Sequence, residues 1–431
     1  MNEPHAEGVG PVPGPEPTEQ VSGLGPEPES ASPAASAAIT TADRAISLPR
    51  HVYVHVPLCR AKCTYCDFFS LTPSELGFSR EALVDALVDQ LRAWGERDLP
   101  VRGIDTLYVG GGTPTMLGES LADLVSAICI WAEAAPDAEV TVEANPESLD
   151  ARLLELLAMA GVTRVSLGVQ SFDDTELTML GRVHDAERAW QAVADVRAAG
   201  LDVSIDLMCG LPAQRAATWN ATLERAVASG ADHVSVYPLS LEAGTPLAAS
   251  VLVGEAPEPD PDVTADMLIE AQEVLNRAGL HRYEVASYAR RGKESRHNTA
   301  YWTGAPYLGV GPGAHGMLTA AVAARAGFIL PPEAARVRYA VSCEIPAGLD
   351  YMPRVEVETL DAAAAAREDA MLGMRRVVGI DDALAEHAGV IPALETLVAD
   401  GLVTHTSGRW TTTTRGWLLG NEVFGRLWNG E

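Results

Sequence analysis

Between residues 51 and 239 short apolar runs alternate with stretches whose apolar residues recur at helical spacing. The runs are HVYVHV (51–56), IDTLYVG (104–110), EVTVEAN (139–145), RVSLGVQ (164–170), DVSIDLM (202–208) and HVSVYPL (233–239). Each has the length and residue types of a strand. Between them, SREALVDALVDQLRAWGER opens on Ser79, a suitable N-cap, and DAERAWQAVADVRAAG ends on Gly200, a suitable C-cap. Strand and helix in regular alternation predict βα units and a parallel sheet. Six units fit a (β/α)6 barrel or an incomplete one; a doubly wound open sheet is the alternative, because periodicity does not reveal strand order.

Outside this region the pattern changes. Residues 1–47 are rich in Pro, Gly, Glu, Ala and Ser and contain no Phe, Trp or Tyr, so they form a tail that cannot build a core. After residue 250, DVTADMLIEAQEVLNRAGL reads as a helix, and the Gly-rich RHNTAYWTGAPYLGVGPGAHG (296–316) reads as turns and close backbone approaches. Near the C-terminus helical patterns give way to GLVTHTSGRWTTTTRGW, the strand and turn arrangement of a winged helix. The expected α/β organisation is therefore a tail (1–47), a partial barrel (48–250), a barrel extension (251–358) and a winged-helix-like α+β domain (359–431).

Charge narrows the function classes. With 31 basic and 59 acidic residues the chain carries a formal charge of -28, which repels phosphate backbones and anionic headgroups. Nucleic acid is excluded as an expected partner. The winged-helix-like segment is itself net acidic, which favours docking or covering over DNA reading. No apolar run approaches the 18 or so residues of a membrane span, and no basic-then-apolar leader is visible, so a cytoplasmic protein without membrane insertion is expected.

The segment HVPLCRAKCTYCDF (55–68) holds Cys59, Cys63 and Cys66, three of the chain's six cysteines. Closed zinc sites and the commonest iron–sulfur sites take four protein ligands, so this set is one short. A zinc site completed by His55, or a chance grouping, is one reading. A cubane held by three thiolates is the other, and it leaves one iron open to a substrate. Cys129, Cys209 and Cys343 stand apart in apolar contexts and read as core residues. Polar residues recur at strand ends: Gly110–Gly112 and Thr113 after the second strand, Glu143 in VEANPE, Gln170 closing SLGVQ, Asp206 in VSIDLM, and Arg182 in LGRVH. In barrels that end carries the active site.

The cysteine loop, with aromatic Tyr65 before its last cysteine, resembles that of the radical S-adenosylmethionine (SAM) superfamily. The strand-end residues are similar to those of its subgroup containing oxygen-independent coproporphyrinogen III oxidase and the heme chaperones of the HemW type. That resemblance implies a 4Fe-4S cluster on the three cysteines, with Tyr53, Gly111 and Glu143 touching the cluster-bound SAM. It also implies a second SAM site lined by Gly112, Thr113, Gln170, Arg182 and Asp206. Oxidases of the subgroup carry a further cysteine where this chain has Phe68, and HNTAYW (297–302) resembles the His-Asn-x-x-Tyr-Trp motif of the heme chaperones. The motif implies heme iron on His297 with Tyr301 and Trp302 packed on the porphyrin, although a lone histidine in such a loop also reads as a structural hydrogen-bonder. His315, in PGAHG, is shared across the subgroup and reads as pocket-structuring. The resemblance thus implies a chaperone that passes heme to acceptor proteins, respiratory ones among them; coproporphyrinogen III oxidation in porphyrin biosynthesis is the alternative.

Overall fold

In the computed structural model of the protein, residues 48–97, 99, 101–343 and 354–430 are described; the N-terminal tail lies outside them. The six predicted strands form as β1 (His51–Val56), β2 (Thr106–Gly111), β3 (Glu139–Ala144), β4 (Arg164–Gln170), β5 (Asp202–Cys209) and β6 (His233–Pro238). They pair in chain order and all in parallel, which is barrel order; a doubly wound sheet would reverse direction at a switch point. In β1, Val52, Val54 and Val56 are fully buried in the main core, while the alternate residues His51, Tyr53 and His55 share the opposite face.

The connecting helices are α1 (Arg80–Glu96), α2 (Ser120–Trp131), α3 (Ala151–Met159), α4 (Asp174–Met179), α5 (Ala186–Ala198) and α6 (Ala216–Ser229). In α1 the buried stripe of Leu83, Leu87, Leu91 and Trp94 follows the helical repeat, and Ser79 caps it by accepting from the Ala82 amide at 3.2 Å. After β6 come α7 (Pro246–Leu252), α8 (Pro261–Arg277) and the short antiparallel strands β7 (His281–Arg282) and β8 (Ser287–Ala289), which extend the sheet beside β6.

The Gly-rich stretch from Arg296 to Gly316 is more regular than its composition predicts. It forms α9 (Arg296–Trp302), β9 (Tyr307–Val310) and the start of β10 (His315–Thr319). β9 lies parallel to β1 on the side away from β2, so the sheet gains a seventh parallel strand. β10, β11 (Ala334–Val341) and β12 (Val355–Asp361) continue antiparallel, completing one twelve-stranded sheet. Gly316 is needed because a Cβ there would strike the Tyr339 ring, so glycine takes a place where periodicity looks for an apolar residue.

A helix, α10 (Ala320–Arg325), separates β10 from β11, and past β12 a second core forms. α11 (Ala362–Gly373), α12 (Asp382–Ala388) and α13 (Ile391–Ala399) pack with a small antiparallel sheet of β13 (Ile380–Asp381), β14 (Val403–Thr406) and β15 (Arg409–Thr412). The β14–β15 turn is Ser407–Gly408, both with positive φ, as a two-residue hairpin loop demands. This is the expected winged-helix-like arrangement. It joins the barrel through the Trp417 indole N–H, which donates to the Val285 carbonyl at 2.8 Å, and through Arg282 over the Trp417 ring at 4.2 Å.

Candidate cofactor site

The seven parallel strands direct their C-terminal ends to one side, where the cysteine loop lies. The loop leaves β1 at Pro57 and is tied at its neck: the Cys59 amide donates to the Leu71 carbonyl at 3.0 Å, and the Leu71 amide to that of Pro57 at 2.7 Å. Thr64 pins its far side, donating through its amide to the Leu180 carbonyl and through its hydroxyl to the Met179 carbonyl, while its own carbonyl accepts from the amide of Leu247, the second residue of α7. Cys59, Cys63 and Cys66 are free thiols held half-buried within it. Burial pushes the Cys59 and Cys66 thiols up.

Three chain segments converge on the thiols. Gly112 donates its amide to Val56, and a Cβ at Gly112 would lie 2.5 Å from the Leu58 carbonyl oxygen and 2.9 Å from Cys59 Sγ. Thr113 Oγ1 stands 3.9 Å from Cys59 Sγ and accepts from the Asn145 side-chain amide at 2.8 Å. Arg182 donates Nη1 to Cys63 Sγ at 3.4 Å and Nη2 to the Gly168 carbonyl at 2.7 Å and to Asn145 Oδ1. Tyr65 lies against this guanidinium and packs on Leu180, Met208 and Leu211.

Beside them, on the interior face, Glu143 accepts from the Tyr108 hydroxyl at 2.9 Å and from the Gly111 amide at 3.0 Å. Gly111 has φ of 114° and approaches the His55 ring too closely for a side chain. Burial pushes the Glu143 carboxyl up to about 7 and that of Asp206 up to about 6, the latter receiving a hydrogen bond from Ser166 Oγ at 3.3 Å. Tyr53 stacks on Tyr108 with ring centroids 6.1 Å apart and meets His55 Nδ1 at 3.1 Å through its hydroxyl. Gln170 closes β4 with φ of 67°, a left-handed conformation that non-glycine residues rarely hold without a local reason. Its amide nitrogen would be 3.0 Å from a Cβ at Gly168, as Asn145 and Arg182 nearly are, so the three share one spot.

The arrangement fits a three-thiolate cluster better than a single ion. His55 has both ring nitrogens engaged, Nδ1 with Tyr53 and Nε2 with the Phe69 carbonyl at 3.0 Å, which leaves none for zinc. Thiolates sharing one zinc at about 2.3 Å each stand within about 4 Å of one another. Among the described residues no three His, Cys, Asp or Glu side chains are grouped as ligands of a single ion. Arg182 Nε is buried without a hydrogen-bond partner among the described residues, on the same guanidinium that reaches Cys63, Asn145 and Gly168.

His297, Tyr301 and Trp302 lie elsewhere. The segment from Tyr283 to Tyr307 closes the opposite end of the barrel by binding strand starts in succession. His297 Nδ1 meets Thr106 Oγ1 at 2.7 Å at the start of β2; the amides of Arg296 and His297 donate to Glu139 at the start of β3. Arg164, at the start of β4, donates to Glu139 at 3.2 Å and to the Lys293 carbonyl at 2.8 Å, and Lys293 pairs with Asp202 at the start of β5. His233, first in β6, meets the Tyr283 hydroxyl at 2.9 Å. His297 is 1% exposed, and its Nε2 is taken by the Tyr301 hydroxyl at 2.8 Å. Trp302 faces the C-terminal domain under Arg375, 5.3 Å from its ring. The expectation of a heme-facing HNTAYW does not fit this geometry: a buried imidazole with both nitrogens bonded offers iron nothing.

The cysteine expectation also needs one correction. Cys209 is buried as expected and Cys129 partly so, but Cys343 is exposed beyond the end of β11. Asn145 and Tyr108, which join the predicted site residues to one another, are absent from the sequence reading. Asn145 had a signal, since it follows Glu143 by two positions at a strand end; Tyr108 looks like any strand aromatic.

Comparison with known proteins places this geometry. Residues 53–226 match the radical SAM superfamily. The heme chaperone HemW of Mycobacterium tuberculosis (strain CDC 1551 / Oshkosh) is 40% identical over 381 residues, 87% of this chain and 94% of that protein. The chain belongs to the HemW family of radical SAM proteins. HemW-family membership accounts for the loop and strand ends together, because the superfamily implies a 4Fe-4S cluster and SAM. The mitochondrial radical S-adenosyl methionine domain-containing protein 1 of Bos taurus is 44% identical over 271 residues, 62% of this chain but 60% of that longer relative. Among solved structures, Escherichia coli coproporphyrinogen III oxidase (HemN) superposes with a TM-score of 0.71 at 21% identity, covering 88% of this chain and 90% of that one; this likeness is one of fold. No helix among the described residues is long and apolar enough to cross a membrane.

Proposed function

We propose that the protein is a heme chaperone that keeps a cluster-and-SAM site of radical SAM type and delivers heme to an acceptor protein, respiratory proteins being the class expected. The observation that carries this reading is similarity to HemW over 87% of this chain and 94% of that protein. Cys59, Cys63 and Cys66 would hold the 4Fe-4S cluster, and Gly111 and Glu143 would contact the SAM bound to it. When bound, the cluster supplies an electron and a coordination site for SAM. Arg182 holds positive charge on Cys63 and fixes Asn145; Asn145 in turn fixes Thr113. Glu143, anchored by Tyr108 and Gly111, offers its carboxyl to a hydroxyl or ammonium donor of SAM. Gly112 brings backbone against the loop where a side chain would separate the two. Gly112, Thr113, Gln170, Arg182 and Asp206 would line the second SAM position, while Tyr53 would touch the cluster-bound SAM beside Gly111 and Glu143. A cytoplasmic location is part of this reading and accords with the net acidic chain.

Coproporphyrinogen III oxidation is the competing reading, and Phe68, standing where oxidases of the subgroup carry a cysteine, weighs against it. One reconstituted, anaerobic sample decides: it is titrated with ferric hemin and assayed for decarboxylation of coproporphyrinogen III. Near-stoichiometric hemin retention without turnover is expected. Turnover without stable retention would reverse the assignment.

A further inference from the structure

One imidazole does face the open end of the barrel, and it belongs to His315. β9 runs parallel to β1 and β10 returns antiparallel, so the first residue of β10 sits at the same end as His55 and the cysteine loop. Register fixes its face. Met317 opposes Tyr307, Tyr307 opposes His51, and Gly309 opposes Tyr53. Opposed residues share a face and alternate residues along a strand do too, so His315 lies on the interior face with Tyr53 and Met317. It is exposed, and lies within electrostatic reach of His55.

The ring is also unoccupied by structural duties. His55, His184, His233 and His297 each have both ring nitrogens engaged. No described side chain or backbone group hydrogen-bonds to the imidazole of His315. A pocket-structuring histidine would show such bonds, so the role read from its sequence context is not the one the structure supports. An aromatic residue of the cysteine loop comes close to the turn that precedes His315. Phe68, in the cysteine loop, is 66% exposed, and Phe69 lies 3.4 Å from the Cβ position of Gly313, two residues before His315. The Cys343 thiol borders the same glycine at 3.6 Å. Imidazole nitrogen is a common axial donor to heme iron, and an exposed phenyl ring suits a porphyrin face.

We propose that His315, and not His297, supplies the protein nitrogen to the iron of bound heme, with Phe68 at the porphyrin face, and that HNTAYW is the bolt across the far end of the barrel. This rests on the heme-chaperone reading. It puts the cargo at the rim beside the cysteine loop, where an acceptor can reach it, and accounts for a large aromatic side chain left in solvent.

The test uses full-length, cluster-reconstituted protein and ferric hemin, read by the Soret band and by low-temperature electron paramagnetic resonance. His315→Ala is expected to weaken binding by about tenfold or more and to lose the imidazole-type spectrum, which free imidazole then restores. His297→Gln is expected to melt at lower temperature yet, while folded, to keep the wild-type spectrum and affinity. Cys343→Ser is expected to change neither. A wild-type titration by His315→Ala, or loss of the spectrum in folded His297→Gln or in Cys343→Ser, overturns the ligand assignment alone. If wild-type protein retains no hemin, the chaperone reading falls and takes this assignment with it.

Discussion

Gly112 has no room for a methyl group. Its Cβ position falls 2.5 Å from the Leu58 carbonyl oxygen and 2.9 Å from Cys59 Sγ, and both neighbours belong to the neck of the cysteine loop. The nearer of the two is backbone, so the loop itself has to shift. Gly112→Ala is therefore expected to cut iron and sulfide per chain to less than about half of wild type after anaerobic reconstitution, by displacing the first of three ligands that must be placed within tenths of an ångström. Gly77→Ala, where nothing lies within 4 Å, should retain full occupancy. Equal iron content in the two variants would show that the loop tolerates the displacement. The Arg182 contacts act at the same scale: a single guanidinium touches a thiol, a carbonyl and an amide oxygen, so its fork shape matters as well as its charge.

At the scale of elements, α9 and the segment before it replace the bottom layer of an ordinary barrel core with hydrogen bonds to strand starts. Burial drops the pKa of His297 and of His233 to about 3. Both are neutral when folded and titrate near 6.5 when unfolded, so the stability they support is complete above 6.5 and is lost as pH falls from there toward 3. His297→Gln should cost on the order of 1–3 kcal/mol at neutral pH, since the Thr106 and Tyr301 hydroxyls lose a buried partner. It should also flatten part of the acid limb of a urea-unfolding series; an unchanged limb would mean that the ring is solvated. The six central strands were legible because their core-facing positions put a Val, Leu or Ile at every second residue of a short run, and Ser79 and the Ser407–Gly408 turn because caps and tight turns are written locally. The barrel end was not legible, because what makes His297 a bolt is its pairing with Thr106, a contact between residues far apart in the chain. β9 and β10 were hidden for a related reason: their glycines are dictated by Tyr339 and by a neighbouring strand rather than by their own period. Cys59, Cys63 and Cys66 were plain, whereas the Asn145 link from Thr113 to Arg182 exists only once three loops meet.

For the molecule as a whole, the C-terminal domain is fastened by charge as well as by packing. Glu368 of α11 accepts from Arg336 at 2.6 Å and from Arg338 at 2.7 Å on β11, and its side chain and that of Arg336 are 6% and 11% exposed. Glu368→Ala leaves Arg336 with Asp369 and Arg338 with Glu358, so it removes two charged hydrogen bonds without stranding either guanidinium and should destabilise by about 2 kcal/mol, measured by denaturant unfolding. Asp89→Ala, which breaks an exposed pair with Arg92, should stay within about 0.5 kcal/mol. Equal effects would mean that the domain is held by apolar contacts alone.

The place of β9 has a consequence for biosynthesis. β1 is the earliest of the sheet's strands to leave the ribosome, yet one of its two flanks is completed only when Tyr307–Val310 arrives, after every other parallel strand has been made. Until then a nascent chain carries an open row of amides beside buried-type valines, the kind of edge that invites misassembly. The loop that follows β1 therefore hangs from a strand whose second flank is the last of the parallel pairings to be made.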